Sequence, residues 1–523
     1  MNTVEFLQIS SAIVPEREAL VEVGGAGQRI SYMDMYPRVV KLANALQGLG
    51  IERGGRVAVM AVNGADFVLT YYATAMLGGV FVPLNYRAKD EELTYMLNSS
   101  ESTVLFSSER YLPLVDRIRP TLETVKHFIS YDASADGFED YQAIVAAAGD
   151  EEIWTEIDDS DPTIVIFTSG TTAQPKGVML SFLDLTAYVT NTMNPADPEI
   201  HEKTLSSVPF FHVAGATALI SAIWGGRTLL ILPQFTPDGW LSAVNNEGGT
   251  HSMVVPTMLK RIMEADTFDQ TDFSKLQLIT YGAAPMPYEV VRKACDIFPP
   301  KGVGLMNAYG QTESTSTLTF LGPDDHDLSE DTENREARLR SVGRPMDDVE
   351  IGIMDERFNI VAPGTEGEIC VRSDRVMKGY YKQDDATSSA IIDGWLHTGD
   401  LGRVDEEGYL FITGRLKDLI IRGGENISSG EVENCLEDHP DIDTAAVIGV
   451  EDVEWGEVIK AVLVMKAGKS ITFDEVTTHC KANIASFKSP AYIAIIDEMP
   501  RNAMGKVLKN DLRAQYGKPE NNV

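Results

Sequence analysis

The chain has 523 residues, with 44 Lys+Arg against 78 Asp+Glu and a formal charge of −34. That length suits about two to four packed units, and 44% hydrophobic with 23% charged residues excludes a disordered or fibrous chain. The acidic excess argues against nucleic acid or an anionic membrane as main partner, because both demand a cationic face. A local basic pocket for the phosphates of a nucleotide remains compatible with it.

In chain order, Met1 to Glu5 carry no basic segment followed by an apolar core, so no signal peptide is expected. Gly24-Gly25-Ala26-Gly27 does not follow a strong strand and is a weak dinucleotide-loop lookalike. Residues 56–61 read as a buried strand, 65–77 as a helix and 79–84 as the next strand, the signature of a parallel α/β sheet. An acidic run at 150–161 precedes a strand at 163–167. Residues 213–232 are apolar but broken by Gly225-Gly226-Arg227, which predicts a core helix and a strand rather than a membrane span. Another strand is expected at 278–281, and a second acidic run at 324–336; both runs read as solvated loops on the sheet rim.

The best boundary lies at 414–418. Beyond it, a helix at 430–438 and a strand at 445–450 fit a small α+β domain. The expected fold class is α/β, with a large N-terminal domain of several subdomains (1–415) and a small mobile C-terminal α+β domain (416–523). Cys295, Cys370, Cys435 and Cys480 form no C-x-x-C pair, so neither a zinc ribbon nor a disulfide framework is expected. Reduced thiols and a cytoplasmic location follow. A two-fold dimer is the commonest assembly of soluble proteins, although no segment marks an interface.

The strongest local signal is Thr168-Ser169-Gly170-Thr171-Thr172-Ala173-Gln174-Pro175-Lys176-Gly177, directly after a strand. Glycines let the backbone approach a polyphosphate, hydroxyls and N–H groups donate, and Lys176 supplies countercharge, in what reads as a strand-to-helix loop. It is not a Walker A loop, because Lys176 is followed by Gly177 rather than Ser or Thr. The bland alternative is a flexible surface turn, against which the composition weighs heavily.

This segment resembles the phosphate loop of the acyl-adenylate-forming superfamily, which includes acyl-CoA synthetases, luciferases and peptide-synthetase adenylation domains. Four further segments match in order: Tyr309-Gly310-Gln311-Thr312-Glu313, His397-Thr398-Gly399-Asp400, Gly414-Arg415-Leu416-Lys417-Asp418 with Gly423-Gly424-Glu425-Asn426, and the run 500–507 containing Gly505-Lys506. The resemblance implies an AMP-forming acyl-CoA synthetase. A carboxylate and ATP give acyl-AMP and pyrophosphate; the C-terminal domain then swings and CoA attacks the adenylate.

The resemblance also assigns roles. Lys506 would bridge the acyl carboxylate and the α-phosphate, Thr312 would touch that phosphate, and Glu313 would ligate Mg²⁺, a hard cation that takes carboxylate oxygen. Thr168, Ser169, Gly170, Thr171, Thr172 and Lys176 would hold the phosphates, and Gly282, Ala283 and Ala284 the adenine. Tyr309 and Gly310 would complete the nucleotide site, with Asp400 and Arg415 on the ribose. Lys417 would be the hinge, and Gly423, Gly424 and Glu425 would line the CoA route.

Phe210-Phe211-His212-Val213-Ala214-Gly215 resembles the mouth of the acyl pocket, with His212, Val213 and Gly215 as its wall and Ser314 continuing it. An aromatic wall is the expected role of His212, with a base or a plain core histidine as alternatives. Peptide-synthetase domains usually place an Asp here to grip an α-amino group; its absence disfavours amino acids. The expected substrate is a medium or longer-chain fatty acid, with an aromatic or alicyclic acid second. The alternatives are an acyl-AMP ligase loading a carrier protein and a non-catalytic nucleotide-binding relative. The implied cofactors are ATP, Mg²⁺ and CoA.

Overall fold

The computed structural model describes residues 1–24, 27–132, 135–168, 174–329, 332–502 and 505–522. The strand Arg56–Met60 is an unbroken apolar run, buried from Val57 to Met60, as a parallel strand covered on both faces must be. It leads into the helix Ala65–Met76, apolar nearly all round and therefore a core helix. The strand Val80–Pro83 then returns parallel, with Val57 opposite Phe81. The expected strand–helix–strand unit is present with its ends shifted by one or two residues.

Among the described residues that unit belongs to an eight-stranded sheet, and a nine-stranded sheet faces it. Val57, Ile164 and Ile166 of the first and Leu20, Leu229 and Ile231 of the second share one core. The helices Thr3–Ile13, Ala65–Met76 and Val213–Trp224 fill that core. The last, followed by the strand Thr228–Ile231, is the expected fate of the apolar stretch at 213–232. Among the described residues no helix is long and apolar enough to cross a membrane.

A third, antiparallel sheet carries the strands Gly367–Arg372, Trp395–Val404 and Leu410–Arg415. Beyond it the strands Ile442–Asp452 and Gly456–Met465 form a long hairpin, backed by the helices Ser429–Glu437 and Phe473–Asn483. The hydrophobic clusters here draw only on residues from Ile420 onward, so this C-terminal domain has its own core. Its last strand, Tyr492–Ile495, is flanked by residues 518–522: Ile495 donates to the Asn522 carbonyl (2.8 Å), and the fully buried Lys460 donates to Lys518 O (3.0 Å) and Asn522 Oδ1 (2.7 Å).

Two expectations are corrected. The acidic run at 324–336 is not a loop: it forms the helices Pro323–His326 and Thr332–Arg338, because Arg338 pairs with both Asp325 and Glu407 and offsets the acids. The loop after Thr168 does not open a helix either. It joins two antiparallel strands, Pro162–Thr168 and Lys176–Ser181, with Thr168 opposite Lys176. The helix starts only at Phe182, behind a capping box of Ser181 and Asp184. The helix therefore follows the second strand rather than the loop. Ser169, Gly170, Thr171 and Thr172 lie outside the described residues, as do Gly25 and Ala26.

Candidate active site

The strands Leu278–Gly282 and Gly304–Gln311 run parallel, with Gly282 opposite Ala308, and the second continues to Gln311. The chain then turns through Thr312–Ser314 and returns antiparallel as Ser316–Leu321. Gly310 is required at the crossing, since a Cβ there would lie 1.7 Å from the Ser316 carbonyl. Thr315 and Ser316 take left-handed backbone angles, φ 51° and 81°, a strained pair held by burial and by the hydrogen bond from Thr315 Oγ1 to the Arg375 carbonyl (2.7 Å). Thr312 and Ser314 are buried in this turn. Ala283 follows the end of the parallel strand, also left-handed.

Glu313 is held from outside the turn. Its Oε1 accepts the Tyr380 hydroxyl at 3.0 Å, and its carbonyl accepts the Met377 N–H at 2.9 Å. The Tyr380 ring carries Lys176 Nζ at 4.7 Å from its centroid. Burial, and then the Glu313 charge, push the Tyr380 phenol up, so it stays a donor. One short strand, Gly379–Tyr380, paired to Lys176–Ser181, thus ties the phosphate-loop lysine to Glu313. The Glu313 carboxylate keeps lone pairs beyond this single hydrogen bond, a donor set that fits Mg²⁺.

Asp400 sits opposite Arg415 on paired strands. Arg415 Nε reaches its Oδ1 at 2.6 Å and the Tyr309 hydroxyl its Oδ2 at 2.9 Å. The carboxylate is only 4% exposed. Glu368 fixes the turn ahead of it, accepting the Gly399 N–H at 3.0 Å and lying 2.7 Å from His397 Nδ1. Cys370 Sγ is 3.4 Å from the same nitrogen. The donor atoms of Glu368, Cys370 and His397 lie within 4.8 Å of one another. Burial pushes the Cys370 thiol up to about 12, so it stays protonated and the trio is a hydrogen-bonded clamp.

From the C-terminal domain, Lys506 enters the same space. Burial, then the positive charge of Arg415, pulls its ammonium down to about 8, with Asp400 opposing. His212 caps the helix Val213–Trp224; burial and then the nearby Lys506 charge lower it to about 4, so the ring is neutral at physiological pH. Its Nδ1 is buried without a hydrogen-bond partner among the described residues. Val213 and Gly215 lie buried in the first turn of that helix. The expected residues Thr312, Glu313, Tyr309, Gly310, Lys176, Asp400, Arg415, His212 and Lys506 therefore form one connected site.

Lys417 lies exposed in the turn Leu416–Asp418, its ammonium lowered by partial desolvation and then by Arg415. Gly423, Gly424 and Glu425 stand apart, at the exposed tip of the hairpin Leu419–Arg422 and Glu425–Ser428. Tyr380 and Glu368 went unforeseen. A tyrosine behind a glycine and a strand glutamate carry no spacing signal; only the fold shows what they hold.

Comparison with known proteins agrees with this geometry. The family description "AMP-binding enzyme" matches residues 7–381, and "AMP-binding enzyme C-terminal domain" matches residues 431–506. An indoleacetate–CoA ligase of Aromatoleum aromaticum is 32% identical over 95% of this chain and 96% of its own length. A long-chain-fatty-acid–CoA ligase of Mycobacterium tuberculosis is 31% identical over 98% and 97%. The solved structure of o-succinylbenzoate CoA synthetase from Bacillus subtilis, with its acyl-adenylate intermediate, superposes with a TM-score of 0.83 at 29% identity, covering 98% of each chain. The chain belongs to the AMP-binding enzyme family of adenylate-forming acid–CoA ligases, whose acyl-CoA ligases use ATP, Mg²⁺ and CoA.

Proposed function

We propose that this protein joins an apolar monocarboxylic acid to CoA through an acyl-AMP intermediate, with residues 1–415 forming the adenylation core and 416–523 the mobile lid. The observation that carries this reading is Lys506, a C-terminal-domain ammonium lying in the electrostatic field of Asp400 and Arg415 of the N-terminal domain. Carboxylate and triphosphate bring two anions together, and the reaction requires a countercharge at the α-phosphate. Lys506 supplies it, with Thr312 donating beside it.

Asp400 retains lone pairs on both oxygens to accept the ribose hydroxyls, while Arg415 and Tyr309 hold it in place. Thr168, Lys176 and the loop 169–172 hold the phosphates. Residues 282–284 take the adenine and Glu313 holds Mg²⁺, which neutralises phosphate charge when bound. Neutral His212 with Val213, Gly215 and Ser314 walls the acyl group. Lys417 is the pivot, and the exposed hairpin tip at 423–425 meets CoA after the lid has turned.

Within this class the relatives act on different acids, from indoleacetate to long-chain fatty acids. We keep medium or longer-chain fatty acids as the first reading. An aromatic or alicyclic acid is the second, which the indoleacetate–CoA ligase among the relatives supports. The test is AMP and thioester formation with ATP, Mg²⁺ and CoA across acetate, C6–C16 fatty acids, benzoate, cinnamate and cyclohexane carboxylates. A CoA-dependent peak for one acid class is expected. AMP without thioester would overturn the CoA assignment in favour of a carrier-protein acceptor.

A further inference from the structure

Resting on the reading of Lys506 as the catalytic countercharge, its position has to be set by something outside its own loop. Within the loop, Asn502 is the organiser: its side chain accepts the Lys506 N–H (3.0 Å), its N–H donates to the Lys506 carbonyl (2.9 Å), and its carbonyl accepts the Gly505 N–H (3.0 Å). Arg501 closes the loop by donating to the Gly505 carbonyl at 2.6 Å. These contacts shape the loop but belong wholly to the C-terminal domain, so they say nothing of where the loop docks.

The helix Pro256–Met263 of the N-terminal domain answers that. It buries Met258, Leu259, Ile262 and Met263 in the core beneath the nine-stranded sheet, which leaves Thr257 and Lys260, one turn apart, on another face. Gly505, at φ +76°, lies so close that a Cβ there would meet Thr257 Oγ1 at 3.1 Å. Lys260 Nζ reaches Asp443 Oδ1 of the C-terminal domain at 2.6 Å. Asp443 is also among the carboxylates facing Arg501, the residue that closes the lysine loop, with Glu437 and Glu498 as the others.

We propose that the helix Pro256–Met263 is the docking platform for the lysine loop, and that Lys260 and Asp443 are positioning residues for the adenylation step. Asp443 faces a cation on each side of the interface, Lys260 on the platform and Arg501 at the loop. The pair holds Lys506 in the site while the adenylate forms and breaks when the lid leaves. It is therefore relevant to the first half-reaction alone. Arg340 with Asp438 (3.2 Å) and Lys466 with Glu289 (2.9 Å) also cross the interface, but neither touches the loop or the helix.

The experiment separates the half-reactions. Acid-dependent pyrophosphate exchange reads adenylation, and CoA added to supplied acyl-adenylate reads thioester formation. Lys260→Glu is expected to lower exchange about fivefold to tenfold, the scale of losing and then opposing a partly exposed ion pair, and to leave thioester formation unchanged. The double variant Lys260→Glu/Asp443→Lys is expected to restore exchange. Equal loss in both half-reactions, no loss in exchange, or no rescue by the double variant would overturn the proposal. Lys260→Gln, with its thermal melt, keeps the comparison open if the reversed charge unfolds the chain. If Lys506→Ala leaves exchange intact, the catalytic reading of Lys506 fails. If Lys506→Ala abolishes exchange while Lys260→Glu does not move it, only the docking proposal fails.

Discussion

The ribose side and the lysine side of the cleft hold their charges in opposite ways. Asp400 arrives already held: Arg415 faces it on a paired strand, Tyr309 reaches its other oxygen, and Glu368 fixes the turn before it. Lys506 shares its space with like charges, Arg415 and Lys417, and burial lowers its affinity for a proton. The first group is pre-organised by a rigid sheet and the second is delivered by a domain. On the proposed reading, a site that grips a nucleotide and later releases its catalytic cation is built from one of each.

The comparison breaks first at the lysine. Lys506→Ala is expected to lower pyrophosphate exchange at least about 10²-fold at saturating acid, the scale of one lost electrostatic contact in a transition state. Asp400→Asn removes the charge that both Arg415 and Tyr309 address, and should raise KM for ATP by about tenfold to a hundredfold with a smaller effect on kcat. The two defects should therefore appear in different kinetic constants.

The pH profile sharpens the contrast. If Lys506 acts as the proposed cation, with its ammonium drawn down to about 8 by burial and then Arg415, activity is full below that value and falls as pH rises through it. The adenylation kcat/KM, which reports the free enzyme, should lose about tenfold per pH unit above the break. No alkaline break at about 8 would place the lysine elsewhere. The smallest effect is expected from Tyr380→Phe, which removes the hydrogen bond that Tyr380 gives the Glu313 carboxylate. A shift of several-fold in the Mg²⁺ concentration for half-maximal rate corresponds to about 1 kcal/mol, and titrating the metal measures it.

Much of this was legible in the sequence, for identifiable reasons. Residues 56–84 announce their strands by continuous apolar runs, whereas Tyr309-Gly310-Gln311-Thr312-Glu313 is legible only through its resemblance to a family motif, and the crossing that requires Gly310 shows only in the fold. The phosphate loop was read as entering a helix because Leu180-Ser181-Phe182-Leu183 carries a helix start; the strand before it is as apolar as a helix turn, and periodicity over six residues cannot tell the two apart. The run at 324–336 misled because acids look solvated until Arg338 is seen between Asp325 and Glu407. The partners Tyr380, Glu368, Lys260 and Asp443 lie far along the chain from the groups they hold, and long-range pairing leaves no local trace.

The flanking segment 518–522 has a practical corollary. Lys460 is wholly buried yet keeps its ammonium satisfied through Lys518 and Asn522, so those last residues act as the stopper of a charged cavity. Trimming the chain at Gly517 would remove both acceptors and open the ammonium to water, at a cost of about 1–3 kcal/mol to the small domain for the lost hydrogen bonds. Affinity handles and reporter fusions are accordingly better placed ahead of Met1.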